Sequence, residues 1–167
     1  ILGEDEDGLL LVKGPNVVRG YLNAPERTAS VLKDGWYETG DLARIDQAGY
    51  IFITGRLSRF SKVGGEMIPH GALEDEMHDV LRIDDRQVVV VTGVPDSARG
   101  ERLIVLHLSL EQSPTEIVSA LREREFPNYS IPKVADFYEI TEIPVLGTGK
   151  LDLAAIIVIA IERTQGD

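Results

Sequence analysis

The chain has 167 residues, 43% of them hydrophobic, which suffices for one ordinary domain or two small ones with a packed core. A formal net charge of -11, from 28 acidic against 17 basic residues, argues against a nucleic-acid-binding surface and leaves no polybasic stripe for an anionic membrane, so small anions at local basic sites are the expected partners. The absence of cysteine excludes a disulfide framework, thiolate catalysis and Cys-type zinc sites, and the cytoplasm is the expected compartment.

The first residues are acidic, the run 4–7 reading as a solvated loop, with neither an initiator methionine nor a signal-peptide pattern. The chain is therefore expected to be a piece of something longer. Residues 8–14 (GLLLVKG) and 49–55 (GYIFITG) are apolar, partly β-branched runs bounded by glycine, and predict two antiparallel strands in a β-rich segment covering 1–56. Between them Pro25-Glu26-Arg27-Thr28 starts a short helical turn, and Asp34-Gly35-Trp36-Tyr37 reads as a turn leading into Thr39-Gly40-Asp41.

From residue 57 to 167 the texture becomes α+β. Residues 59–63 and 66–68 around Gly64-Gly65 predict a hairpin with a glycine turn. A helix follows, with Leu73, Met77, Val80 and Leu81 on one face and Glu74, Asp75, Glu76 and Asp79 on the other. Residues 87–94 form a nearly continuous valine strand ended by Pro95-Asp96, and 102–110 a second strand. Ser113, Pro114 and Glu116 spell a capping box for a helix running to about Phe126. A third strand over 133–140, a loop, and a final helix over 153–163 complete a compact domain with a central sheet and flanking helices. The apolar stretch 153–161 falls well short of the roughly 20 residues that span a bilayer.

Several residues look chemical. Lys150 sits at the tip of a loop, Pro144-Val145-Leu146-Gly147-Thr148-Gly149-Lys150, whose glycines let a phosphate or carboxylate approach closely. A Walker phosphate loop is ruled out, because Pro144 stands where it needs glycine and Leu151 where it needs Ser or Thr. Alone, the loop also fits a plain turn with a solvated lysine. Asp41, after Gly40, can accept hydrogen bonds from vicinal sugar hydroxyls or close an Asx turn. Arg56 ends a strand with a guanidinium suited to bidentate anion binding. Gly64 and Gly65 either admit a slender ligand close to the backbone or merely close the hairpin. His70, Glu74 and His78 at i, i+4 and i+8 offer a metal-ligand stripe, but it follows Pro69 and would face solvent, so no metal site is expected. His107 reads as a hydrogen-bonded core histidine. No nucleophile with a supporting base is visible.

Taken in order, GPNVVRGYLNAP, YETGD, GRLSRFSKVGGEMI, VPDSARGE and LGTGK resemble the motifs of the C-terminal part of adenylate-forming enzymes, the superfamily of acyl-CoA synthetases, luciferases and adenylation domains. The resemblance covers nearly the whole chain and implies the end of a large N-terminal domain followed by a lid domain. It implies that Asp41 binds the ribose hydroxyls of ATP or AMP, that Arg56 contacts ribose or phosphate, and that Lys150 bridges the acid and the α-phosphate as the acyl-adenylate forms. It further implies passage of the acyl group to a pantetheine thiol, with Gly64 and Gly65 lining the thiol tunnel, after the lid rotates about a hinge. Ser58 stands at that hinge where the family commonly has Asp or sometimes Lys. The segment RFSKVGGEM is most similar to the acyl-acyl carrier protein synthetase part of bifunctional acyltransferases for 2-acylglycerophosphoethanolamine.

By that resemblance the full-length parent uses ATP with Mg2+, a fatty or other carboxylic acid, and acyl carrier protein or coenzyme A. The fragment alone is expected to hold no cofactor and to be inactive by itself. Arg59 with Lys62 is the candidate patch for an acidic carrier protein, with Arg122, Arg124 and Lys133 as others. Any association of the parent with the inner face of the bacterial inner membrane would lie outside these residues. The competing expectation is a non-catalytic binding module that uses the lid fold to recognise a carrier protein or nucleotide.

Overall fold

The computed structural model describes residues 6–124 and 126–165, so Glu4 and Asp5 of the acidic run lie outside the described residues. Contacts divide the chain into two units, Ile1–Ser58 and Arg59–Asp167.

The first unit is an antiparallel sheet of β1 (Gly8–Val12), β2 (Leu32–Lys33), β3 (Trp36–Ile45) and β4 (Ile51–Arg56), with α1 (Pro25–Val31) between β1 and β2. Pro25 occupies the first turn of α1, where its missing N–H costs nothing. The turn between β2 and β3 is only Asp34-Gly35, both with positive φ (52° and 79°), so Trp36 and Tyr37 already belong to the strand. Asp46 closes the next hairpin, its carboxylate accepting from the backbone N–H groups of Ala48 and Tyr50. Among the described hydrophobic residues of this unit only Ala43 is buried, while Ile51, Phe52 and Ile53 are exposed.

The second unit is built on a five-stranded sheet. β5 (Phe60–Val63) and β6 (Glu66–Pro69) form the glycine hairpin, and β7 (Val89–Asp96) pairs along its length with β8 (Gly100–His107). β9 (Phe137–Glu139) joins β8 in parallel. Helices α2 (His70–Leu81) and α3 (Pro114–Glu123) cover one face and α4 (Leu153–Gln165) the other. The valine run is explained by this sandwich. Val89 and Val91 pack with Leu73, Met77, Ile117 and Leu121, whereas Val90 and Val94 pack with Ile156 and Ala160. A strand buried on both faces needs no polar alternation. The capping box at Ser113 is formed as its sequence predicts, with Ser113 and Glu116 exchanging hydrogen bonds.

Two sequence expectations are corrected. The strand expected over 133–140 is only three residues long, because 134–136 form a 3₁₀ turn that delivers Asp136 to Arg102 at 2.9 Å. Glu74 does not join the solvated face of α2: it is buried, because it lies inside the helical stripe that Leu73, Met77 and Leu81 define.

Candidate active site

In the first unit the antiparallel register of β3 and β4 sets Asp41 opposite Arg56, although fifteen positions separate them in sequence. A carboxylate oxygen of Asp41 lies 3.4 Å from an Arg56 guanidinium nitrogen, with the side chains 31% and 61% exposed. This is an open, weakly held pair that a ligand can enter. Asp41 lies within the β1–β3 register shift and just before the β3–β4 one, and Gly40 has φ 78°. Bulges of this kind re-aim side chains beside functional sites. Among the described residues the Asp41 carboxylate accepts no Asx-turn hydrogen bond. The Asp41 backbone N–H donates instead to Thr39 Oγ1 at 3.0 Å, and the Thr39 hydroxyl donates to the Leu10 carbonyl. The Asp41 carboxylate thus keeps acceptor capacity free of local turn bonds.

In the second unit Lys150 stands on a small hairpin closed by the bridge between Val145 and Leu151 and by hydrogen bonds from Leu146 N–H to the Lys150 carbonyl (2.7 Å) and from Gly149 N–H to the Leu146 carbonyl (2.8 Å). Gly149 has φ 80°, a conformation that suits glycine. Lys150 is exposed, and its amine has no hydrogen bond or ion pair among the described residues. Two residues on, Asp152 caps α4, its carboxylate accepting from the Ala155 N–H at 3.1 Å. The hairpin is therefore anchored to a helix, which sequence reading missed although Asp before an apolar helix is a cap signal.

Gly64 and Gly65 form the turn between β5 and β6 with φ 62° and 99°, and a Cβ at either would meet nothing within 4 Å. The turn is open as well as sharp. Ser58 falls in a 3₁₀ turn (Leu57–Arg59) and is the last residue of the first unit. Arg59 and Lys62 do not form one exposed basic patch. The Arg59 guanidinium turns inward to pair with Glu74, leaving Lys62 exposed, its backbone N–H donating to the Glu101 carboxylate at 2.6 Å. Arg124 is likewise occupied, by Glu76 and Asp79.

The His70, Glu74, His78 stripe is not solvent-facing. Glu74 pairs with Arg59 and accepts from Val91 N–H at 2.6 Å and from Gln87 at 3.5 Å, while His78 Nδ1 meets the Glu74 carbonyl and Nε2 the Val88 N–H. Burial pushes the Glu74 carboxyl up, against the opposing pull of Arg59. His70 Nε2 lies 2.8 Å from Ser61 Oγ, and burial, helped by Arg59, pulls its pKa down to about 4. The sequence showed no nucleophile with a base; the fold makes this pair from residues nine apart, but Ser61 is 1% exposed and out of reach of substrate. Among the described residues no three His, Asp or Glu side chains converge as a metal-ligand set. His107 is the hydrogen-bonded core histidine expected, with Nδ1 2.8 Å from the Leu108 carbonyl.

This fold, an antiparallel sheet leading into a helix-covered α+β unit, is that of the C-terminal lid region of adenylate-forming enzymes. No family model matches the chain. A long-chain-fatty-acid–CoA ligase of Bacillus subtilis is 38% identical over 149 residues, 87% of this chain and 26% of its own length. An ATP-bound RpMatB-BxBclM chimera superposes with TM-score 0.76 at 26% identity, covering 96% of this chain and 32% of its own. The o-succinylbenzoate CoA synthetase MenE of Bacillus subtilis, solved with the acyl-adenylate OSB-AMP, does so with TM-score 0.75 at 26% identity, covering 93% and 31%. The chain is a homologue of the C-terminal part of the acyl-CoA and AMP ligases of the adenylate-forming superfamily. It spans about a quarter to a third of the length of these relatives.

Proposed function

We propose that the full-length protein containing this chain is an ATP-dependent ligase that joins a carboxylic acid to AMP, releases pyrophosphate, and hands the acyl group to a pantetheine thiol. The observation that carries this is Lys150, an exposed cation without a partner among the described residues, on a glycine hairpin braced against α4. In the first half-reaction a carboxylate oxygen attacks the α-phosphorus and pyrophosphate leaves. Two anions meet at that junction, and a cation placed there stabilises charge that develops as the bond forms. Asp41 accepts from the ribose hydroxyls and Arg56 faces ribose or phosphate, so the 3.4 Å contact of this open pair gives way to contacts to nucleotide. Mg2+ accompanies the ATP phosphates.

The names of the relatives support acyl activation, with coenzyme A the acceptor that those names carry. The likeness of residues 59–67 to acyl-acyl carrier protein synthetases supports a finer reading, a fatty acid as the acyl donor and acyl carrier protein as the acceptor. On that reading Lys62 is the exposed cation that meets the acidic carrier. The open turn at Gly64 and Gly65 lines the thiol's approach, and Ser58 is the pivot of the lid.

Lys150→Ala in the full-length enzyme tests the reading. It is expected to lower acyl-adenylate formation by roughly 100-fold or more while sparing thioester formation from supplied adenylate, because the cation is needed only while two anions are joined. Equal loss of both half-reactions would remove Lys150 from that role.

A further inference from the structure

β3 carries β1 along one edge and shares its other edge between two strands. Tyr37 pairs with both Val12 of β1 and Leu32 of β2, and Leu42 with both Leu9 of β1 and Gly55 of β4. β2 and β4 therefore lie on the same edge, opposite β1, with β2 pairing Trp36 and Tyr37 of β3 and β4 pairing residues from Asp41 to Ile45. Among the described residues, 38–40 have no strand partner on that edge. Tyr37 and Asp41 are the two rims of this gap, and a Cβ on Gly40, beside the Asp41 rim, would meet no atom of the described residues within 4 Å apart from its chain neighbours. The Thr39 hydroxyl, bonded to Leu10 and Asp41 backbone, stiffens the gap without competing for what enters it.

The Tyr37 rim is held in place. Its hydroxyl lies 3.3 Å from that of Tyr21. Tyr21 packs its ring against the Arg27 guanidinium, 4.3 Å from the ring centroid, and donates its backbone N–H to Thr28 Oγ1, which donates in turn to the Ala24 carbonyl. Either hydroxyl of the Tyr21–Tyr37 pair can be the donor, and with Tyr21 donating, the single Tyr37 O–H is left for a ligand. The same phenol feels both Arg56 and Asp41, which places it in the neighbourhood of that pair.

We propose that Tyr37 is a further binding residue of the nucleotide site, its hydroxyl bonding a ribose hydroxyl of ATP across the gap from Asp41, with Tyr21 as the positioning residue that holds it. The proposal rests on the reading of Asp41 and Arg56 as the nucleotide pair. A ribose hydroxyl that donates to the Asp41 carboxylate keeps lone pairs that accept from a phenol. One such neutral hydrogen bond is worth about 3- to 10-fold in affinity.

The test is the KM for ATP, 2′-deoxy-ATP and 3′-deoxy-ATP in pyrophosphate exchange by the full-length enzyme and its Tyr37→Phe, Tyr21→Phe and double variants. Tyr37→Phe is expected to raise the KM for ATP about 3- to 10-fold with kcat nearly unchanged, and to carry no penalty with the analogue that lacks the contacted hydroxyl. Tyr21→Phe should shift KM in the same direction, with the double variant no worse than Tyr37→Phe alone. A penalty equal for all three nucleotides, or none, overturns the proposal, as does additivity of the two variants. Should Tyr37→Phe fail to fold, Tyr21→Phe alone must show the same discrimination between ATP and one analogue. Asp41→Ala separates the underlying reading: if it leaves the KM for ATP unchanged, the nucleotide pair itself is misassigned.

Discussion

Glu74→Leu should be among the most damaging changes in the second unit, and its cost follows from what the carboxylate holds. Glu74 and Arg59 have side chains 6% and 18% exposed, and the carboxylate also accepts from the Val91 N–H in a strand buried on both faces. Removing it leaves that N–H without an acceptor, which costs about 1–3 kcal/mol, and leaves a largely buried guanidinium without its counter-charge. Arg59 can ill absorb this, since its Nη1 is already buried without a hydrogen-bond partner among the described residues. Breaking a buried pair from one side costs about 3–5 kcal/mol, a large part of the stability of a small domain. The double variant Arg59→Met, Glu74→Leu removes both charges and should recover the part of the loss due to the unpaired guanidinium, leaving about 1–3 kcal/mol for the Val91 N–H. Urea titrations of the 167-residue chain followed by circular dichroism at the helix band measure this, the three longest helices being in the second unit. A single-variant loss below about 1 kcal/mol, or a double variant no more stable than the single, would refute the reasoning.

His70 makes stability depend on pH. Its folded pKa of about 4 lies below the ordinary 6.5, so below pH 6.5 the unfolded chain takes up a proton that the folded chain refuses, and stability is lost as pH falls toward 4. The ceiling on that loss is about 3 kcal/mol. Glu74, with its raised pKa, acts in the opposite sense in the wild type and in His70→Gln alike, so the difference between their urea midpoints at pH 7 and pH 4.5 isolates His70; equal pH dependence in the two proteins would contradict this. Gly93→Ala should destabilise by about 1–3 kcal/mol or more, since its Cβ would fall 2.0 Å from Ser61 Oγ in a packed interior. The pair Gly93→Ala, Ser61→Gly should regain part of that loss in the same titration, and a Gly93→Ala midpoint equal to wild type would show that the interior yields.

Much of this architecture was legible because its signals are local. The valine run, the Ser113-Pro114-Glu116 box and the Gly64-Gly65 turn each satisfy their own backbone, and the fold keeps all three. The pairing of Asp41 with Arg56 depends on strand register and two bulges, which no short window reports. Glu74 was misread for a different reason. A charged residue was given to the solvated face, although its position between Leu73 and Met77 put it in the buried stripe, and only the distant Arg59 and Val91 make that tolerable. The same pairing withdraws Arg59 from any surface patch. The shortened β9 reflects a nonlocal demand too, since Asp136 turns in to reach Arg102 on β8.

The most direct test of the central claim is ATP–pyrophosphate exchange by the full-length enzyme across fatty, aryl and amino acids, with Lys150→Ala alongside. Lysine-dependent exchange with one class of acid is the predicted result, and it would identify the acid activated. Absence of exchange with every acid, or exchange that survives loss of Lys150 undiminished, would contradict the account.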